Sequence, residues 1–150
     1  MPADPHFFAF DLDRGIREQV VAKLESSPLY PLNRSVGPQD SGIYALYLND
    51  ALVYIGKASK GTTLSKRTLR ARLSEHASKI GGRSNINLAD VKCRYLTFDS
   101  EWWVFAAEFA LITHYTPEWN ASGFGSKAPG KGRPGTHRVS AWNAKYPKRP

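Results

Sequence analysis

A glutamate inside an apolar run is the first residue whose position asks for a chemical explanation. Glu108 interrupts the segment from Trp102 to Ile112, in which every other side chain is apolar. Burying an ionised carboxylate is costly unless a cation or strong donors meet it. A basic side chain or a bound metal is therefore expected beside Glu108; a half-exposed glutamate or a structural ion pair is the alternative. Arg72 and His76 are the second anomaly. They lie four residues apart in the segment Lys66 to Ile80, where Leu69, Leu73, Ala77 and Ile80 form one helical stripe. At about 100° per residue the imidazole falls within that stripe and the guanidinium at its edge, on the same side of the helix. The pair combines a permanently charged anion binder with a proton carrier, although a surface arginine and a satisfied core histidine would share this spacing. Tyr44 and Tyr54 add two phenols on neighbouring strands, and in isolation they are ordinary strand residues.

These side chains need elements to position them. Gly42 to Leu48 and Leu52 to Gly56 are two short runs of β-formers around Asn49-Asp50, a hairpin. Its register matters because side chains alternate faces along a strand. A three-residue loop, Asn49 to Ala51, would pair Leu48 with Leu52 and Leu46 with Tyr54 and leave both tyrosines on one face; a two-residue loop would separate them. The three-residue loop is expected. Residues 14 to 25 space Ile16, Val20 and Leu24 four apart as a short amphipathic helix, which Pro28 and Pro31 prevent from continuing. Gly81-Gly82 ends the helix that carries Arg72 and His76. Val91 to Phe98 is a third strand, and Asp99 or Ser100 can cap a helix over 101 to 115 that Pro117 terminates. The fold class predicted is α/β in the broad sense, more narrowly α+β: a small, mainly antiparallel three-stranded sheet flanked by helices. One domain over 1 to 150 is expected, with an N-terminal helical arm (1 to 40), a catalytic core (41 to 120) and a basic Gly/Pro-rich arm (121 to 150).

Charge is distributed in blocks. The net charge is +8, but residues 57 to 83 alone hold eight basic side chains against Glu75, and residues 121 to 150 hold seven basic side chains and no acid. Residues 1 to 56 and 84 to 120 each carry a balance of −3. Two concentrated basic blocks attract polyanions, and the phosphate backbone of nucleic acid is the commonest of these in a cytoplasm; a solvated basic surface is the bland alternative. No stretch approaches the roughly 18 apolar residues of a membrane helix, and the N-terminus lacks the layout of a signal peptide, so a cytoplasmic protein is expected. Cys93 is the one cysteine; it can neither form an internal disulfide nor hold zinc alone, and reads as core filler. Gly125 to Lys131 fits the start of a phosphate-binding P-loop, but Gly132 stands where a Mg²⁺-binding hydroxyl belongs, no strand precedes it and Pro134 opposes a helix. Nucleotide binding there is rejected.

The order of these elements resembles a known pattern. Gly42-Ile43-Tyr44 and Tyr54-Ile55-Gly56 resemble the signature of the GIY-YIG nuclease superfamily, and the match continues through Arg72 and His76 on the next helix, Glu108 on a later one, and Asn120 twelve residues beyond. The resemblance covers roughly residues 41 to 120. The Arg-x-x-x-His form and the tail Glu118 to Gly125 followed by Arg133-Pro134-Gly135 look most like the type II restriction endonucleases of that superfamily.

The resemblance implies an endonuclease that hydrolyses phosphodiester bonds of double-stranded DNA. It implies one Mg²⁺, with Mn²⁺ as a substitute, bound by Glu108 as the single metal-binding glutamate. Arg72 would meet the phosphate, and Tyr44 would accept a proton from the attacking water. Lys57 and the metal would make Tyr44 more acidic, Tyr54 would orient water or phosphate, and His76 would relay the proton. Asn120 would steady Glu108 or contact phosphate, and the sequence does not choose between these. Lys60, Lys66, Arg67, Arg70, Lys127, Lys131, Arg133 and Arg138 are expected to contact DNA. Cutting both strands of a palindrome from one site per chain calls for a homodimer, for which the helix at 14 to 25 could serve, with core packing as its equal alternative, and a restriction role implies a cognate DNA methyltransferase in the same cell. A structure-specific repair or recombination nuclease of the same superfamily, and a catalytically silent nucleic-acid-binding module, are the alternatives.

Overall fold

A computed structural model describes residues 5–59, 67–125 and 139–150. Its centre is a four-stranded antiparallel sheet, one strand more than expected, in the order β1-β4-β2-β3. The strands are β1 (Tyr30–Pro31), β2 (Gly42–Leu48), β3 (Ala51–Ala58) and β4 (Val91–Thr97). β1 is the strand that the sequence hides: it has two residues, one of them proline, and it exists only through its pairing with Cys93 and Lys92 of β4. Proline is tolerated there because β1 is an edge.

Helices cover both faces. On one, α1 (Leu12–Ser26) and α3 (Glu101–Tyr115) press Val20, Leu24, Val104, Ala107, Ala110 and Leu111 onto Ile43, Ala45 and Ile55. On the other, α2 (Leu69–Gly81) places Leu69, Leu73, Ala77 and Ile80 against Tyr44, Leu46 and Tyr54. Thr68 caps α2 by accepting from the Ala71 N–H. Ser100 stands at the N-cap of α3 but makes no side-chain cap bond, and α3 ends at Thr116 in a left-handed conformation (φ 42°) before Pro117.

The hairpin reaches the expected arrangement by another route. Asn49 and Asp50 both have positive φ, 50° and 67°, and Leu48 pairs with Ala51. The loop thus has two residues, in the left-handed geometry that suits a tight hairpin. That register would put the tyrosines on opposite faces. A bulge corrects it: Tyr47 pairs with Leu52, but Leu46 pairs with Tyr54, so Val53 is the extra residue and joins Tyr54 in one core cluster.

Two further expectations are corrected. Residues 1 to 40 are not an arm throughout, because α1 packs into the core through Val20 and Leu24. The segment after Asn120 is not wholly extended either. Residues 126–138, and with them Lys127, Lys131, Arg133 and Arg138, lie outside the described residues, but α4 (Ala141–Lys145) returns to the molecule and buries Trp142 and Tyr146 among Trp119 and Phe124. Four residues separate the two rings, one helical turn, so one short helix delivers both. Arg83 is buried over the Trp142 ring and donates to the Tyr146 carbonyl, which makes part of the basic surplus structural. Cys93 is buried and free, and burial pushes its thiol up to about 12. No helix among the described residues is long and apolar enough to cross a membrane.

Candidate active site

Tyr44 of β2, Tyr54 of β3 and His76 of α2 meet on the α2 face of the sheet. The Tyr44 hydroxyl lies 2.7 Å from His76 Nε2. Ring centroids are 6.1 Å apart for the two tyrosines and 5.4 Å and 5.5 Å from His76 to Tyr44 and Tyr54. Phe124 completes the cluster, stacked on His76 at 4.7 Å and edge-on to Tyr54 at 5.0 Å. It fixes the imidazole plane that the Tyr44 bond requires. Sequence reasoning passed over Phe124 because it stands in a Gly-rich stretch with no periodicity. Arg72, one turn before His76, borders a cavity of about 330 Å³ that Arg67, His76, Lys79 and Phe124 also line.

Electrostatics separate the roles. Burial lowers His76 to about 3, and Arg72 and Lys79 push it the same way, so the imidazole is neutral at physiological pH. In its Nδ1–H tautomer Nε2 accepts the Tyr44 proton. Burial raises the Tyr44 phenol far above its usual range, and Arg72 acts in the opposite direction. Burial also raises Tyr54. Glu108, half-buried on α3, is raised by burial, with Lys57 and Arg72 opposing. The cation acting on Tyr44 is thus Arg72, whereas exposed Lys57 acts on Glu108 and holds its ammonium 4.9 Å from the centroid of the Phe105 ring.

At this site one atom of Arg72 and the Glu108 carboxylate have no hydrogen-bonding partner among the described residues. Arg72 reaches Glu75 at 3.5 Å through Nη1, but its Nε is buried and bonds to nothing among the described residues. No hydrogen bond or ion pair among the described residues engages the Glu108 carboxylate either. An unpaired donor on a cation suits an anionic oxygen. A half-buried carboxylate suits a hard cation that takes one protein oxygen and fills its other positions with water and substrate. No group of three or more potential metal ligands occurs among the described residues.

Asn120 bonds the backbone of β3. The Ile55 N–H donates to Asn120 Oδ1 at 2.9 Å and Asn120 Nδ2 donates to the Ile55 carbonyl at 2.8 Å. The side chain therefore acts as one rung of an added strand, sealing the edge of β3 beside Tyr54. Asn120→Ala leaves both Ile55 groups unpaired and should cost about 1–3 kcal/mol in urea unfolding; a loss below about 0.5 kcal/mol would show that water replaces the amide. Of the expected DNA contacts, Arg67 and Arg70 are exposed, and Arg70 also donates to the Gly37 carbonyl at 2.9 Å. Lys60 and Lys66 lie outside the described residues.

The model of the Eco29kI GIY-YIG domain family matches residues 49–150. The chain belongs to the Eco29kI family of GIY-YIG restriction endonucleases. No curated protein matches it. Two solved structures similar to it are of the GIY-YIG N-terminal endonuclease domain of UvrC from Thermotoga maritima. One, a point mutant bound to its catalytic divalent cation, is 23% identical and covers 69% of this chain and 96% of its own, with a TM-score of 0.41. The other, bound to magnesium, is 24% identical and covers 69% and 97%, with a TM-score of 0.39.

In this member of the Eco29kI family the two GIY-YIG tripeptides have a packing logic. Each tyrosine faces α2, and each isoleucine is fully buried under α1 and α3. A Cβ on Gly56 would overlap the Tyr44 ring and hydroxyl, and one on Gly42 would collide with the Leu96 carbonyl. The glycines let the Tyr44 phenol and β4 approach.

The His76 environment predicts a pH effect. Its pKa is about 3 folded against 6.5 for a free imidazole, so between those values the unfolded chain takes up a proton that the folded chain refuses. Stability contributed by neutral His76 is complete above 6.5 and is lost as pH falls toward 3, at up to about 1.4 kcal/mol per pH unit. Urea melts across this range should show a shallower slope for His76→Gln. An identical slope would mean that His76 titrates normally.

Proposed function

We propose that this chain is a Mg²⁺-dependent endonuclease that cuts double-stranded DNA at specific sites. The observation that carries the reading is the Tyr44–His76 hydrogen bond beside an Arg72 Nε that is buried without a partner among the described residues, with the Glu108 carboxylate acting electrostatically on both tyrosines. Glu108 holds the cation, which when bound supplies Lewis-acid neutralisation of phosphate charge. Arg72 grips the scissile phosphate, whose charge its guanidinium matches. Tyr44 takes a proton from the attacking water as it passes its own to His76 Nε2, so that no free phenolate need form in the buried site. The cost of charging His76 beside Arg72 and Lys79 falls once the anionic phosphate has arrived. Tyr54 orients water or phosphate, Lys57 keeps Glu108 ionised, and Asn120 holds the strand that carries Tyr54. Lys60, Lys66, Arg67, Arg70, Lys127, Lys131, Arg133 and Arg138 follow the DNA backbone. The enzyme acts in the cytoplasm as a homodimer, alongside a methyltransferase that protects the host's own sites.

Supercoiled plasmid and a four-way DNA junction, digested side by side with Mg²⁺ and with EDTA, test this reading. Discrete plasmid fragments that need Mg²⁺ are expected. Cleavage confined to the junction would favour a structure-specific nuclease, and no cleavage of either substrate in Mg²⁺ or Mn²⁺ would overturn the catalytic reading.

A further inference from the structure

The ring stacked on the His76 imidazole, Phe124, owes its place to groups outside its own turn. Gly123, with φ 88°, precedes it and Gly125 follows, so no adjacent side chain anchors it. The ties come from α2 and α4. The Lys79 ammonium donates to the Phe124 carbonyl and stands 4.9 Å from the centroids of both the Phe124 and the Trp142 rings. Those two rings are 4.7 Å apart, and the Trp142 N–H donates to the Ser122 carbonyl at 2.9 Å. Lys79 follows His76 by three residues on α2, so the two project from one side of the helix. One rigid element thus carries both the imidazole and the cation that ties down the ring stacked on it.

We infer that Lys79 is a positioning residue for cleavage, which through Phe124 holds the His76 ring with Nε2 turned to the Tyr44 hydroxyl. This rests on the reading in which Nε2 receives the Tyr44 proton. The outer torsion of a histidine is broad, and a rotation of a few tens of degrees would swing the Nε2 lone pair away from the hydroxyl that now lies 2.7 Å from it. Tyr44 and Tyr54 are tilted to the imidazole by 47° and 67°, whereas Phe124 lies closest to parallel, at 28°, so Phe124 sets its plane. Lys79 also lines the cavity that Arg67 and Arg72 border, where a cation could bind phosphate directly. Its ammonium is instead committed to a carbonyl and two ring faces, contacts that strengthen on desolvation. Charge and position act on the rate with opposite signs. The Lys79 charge disfavours a protonated His76, so removing it should by itself make the imidazole a better acceptor and speed the reaction. A fall in rate therefore reports lost position.

Single-turnover cleavage in Mg²⁺ and equilibrium binding in EDTA, on Lys79→Met, Phe124→Leu and the double variant, test the inference. Methionine keeps the apolar stem and removes the ammonium, and Lys79 is only half-buried, so this variant should keep the wild-type circular dichroism spectrum. Its rate should fall by about 10- to 100-fold, the scale of a reacting group misplaced by about an ångström, with affinity and the salt dependence of binding unchanged. Because Lys79 acts through Phe124, the double variant should be no slower than Phe124→Leu alone. An unchanged or faster rate in Lys79→Met, an equal loss of affinity, or losses that multiply in the double variant would overturn the inference. A second readout needs neither cutting nor a change at Phe124. Nitrogen NMR at about pH 8, well above the pKa of a free imidazole, with the His76 signals assigned by their absence from His76→Gln, should show one Nδ1–H tautomer in wild type and a mixture in Lys79→Met. A single tautomer in both would also overturn it. The nuclease reading fails separately. A wild-type chain that cuts no DNA but shows this tautomer change loses the activity and keeps the Lys79 tie, and one that cuts without the change does the reverse.

Discussion

Glu108→Gln is expected to abolish DNA cleavage and leave binding to the same DNA, measured in EDTA, essentially unchanged. The substitution keeps the shape of the side chain and removes the charge that a hard cation needs. Losing the cation forfeits several kcal/mol of transition-state charge stabilisation, on the order of 10³ or more in rate. Affinity responds differently, because the basic side chains that contact the backbone are untouched. It should rise slightly, if it moves at all, since a half-buried negative charge near the phosphate is gone. Single-turnover cleavage in Mg²⁺ and equilibrium binding in EDTA read the two effects separately. Cleavage within about tenfold of wild type would show that Glu108 holds no essential ion, and its position between Lys57 and Arg72 would then be explained as structural charge balance.

Arg72→Ala should reduce the single-turnover rate by about 10² to 10³ while weakening DNA binding far less. The guanidinium matters most as negative charge builds on the scissile phosphate, so its contribution is larger in the transition state than in the ground state. Arg72→Lys should recover little. An ammonium restores the charge but not the planar set of donors, and the Nε–H that is buried without a partner has no counterpart in lysine. Arg72→Ala also removes the cation beside Tyr44, which makes loss of a proton from that phenol harder and adds to the loss in rate. Equal losses of rate and affinity in Arg72→Ala, or normal cleavage by Arg72→Lys, would reduce Arg72 to a backbone anchor.

Most of the local structure is legible in the chain because it depends on short-range periodicity. The helices over 12–26, 69–81 and 101–115 follow from apolar spacing and from Pro and Gly punctuation, which act within a few residues of themselves. The positions of Tyr44, Tyr54, Arg72, His76 and Glu108 were likewise visible as types and spacings, and Glu108 stood out because a carboxylate in an apolar run is physically anomalous. Composition and order also sufficed to separate the acidic segments from the basic ones.

What the tertiary structure decided concerns groups far apart in sequence. The bulge at Val53 restores the tyrosine register that the two-residue turn would have broken, and it could not be read from the hairpin because both registers satisfy the local β pattern. For Asn120 the sequence offered a contact to Glu108 or to phosphate; only the approach of the Glu118–Ala121 turn to the edge of β3 shows its bonds to Ile55. Arg72, and not Lys57 as expected, is the side chain whose charge acts on Tyr44, because burial and direction, not sequence distance, set which charge acts on which group. Phe124 and Trp142 look like residues of a Gly/Pro-rich tail until Phe124 stacks on His76 and Trp142 packs against Phe124. The amino-acid order alone thus determined which chemical groups are available and along which elements they lie. The folded chain determined which of them meet, because desolvation, hydrogen-bond saturation and cross-strand register are properties of long-range contact and leave no periodic trace in the sequence.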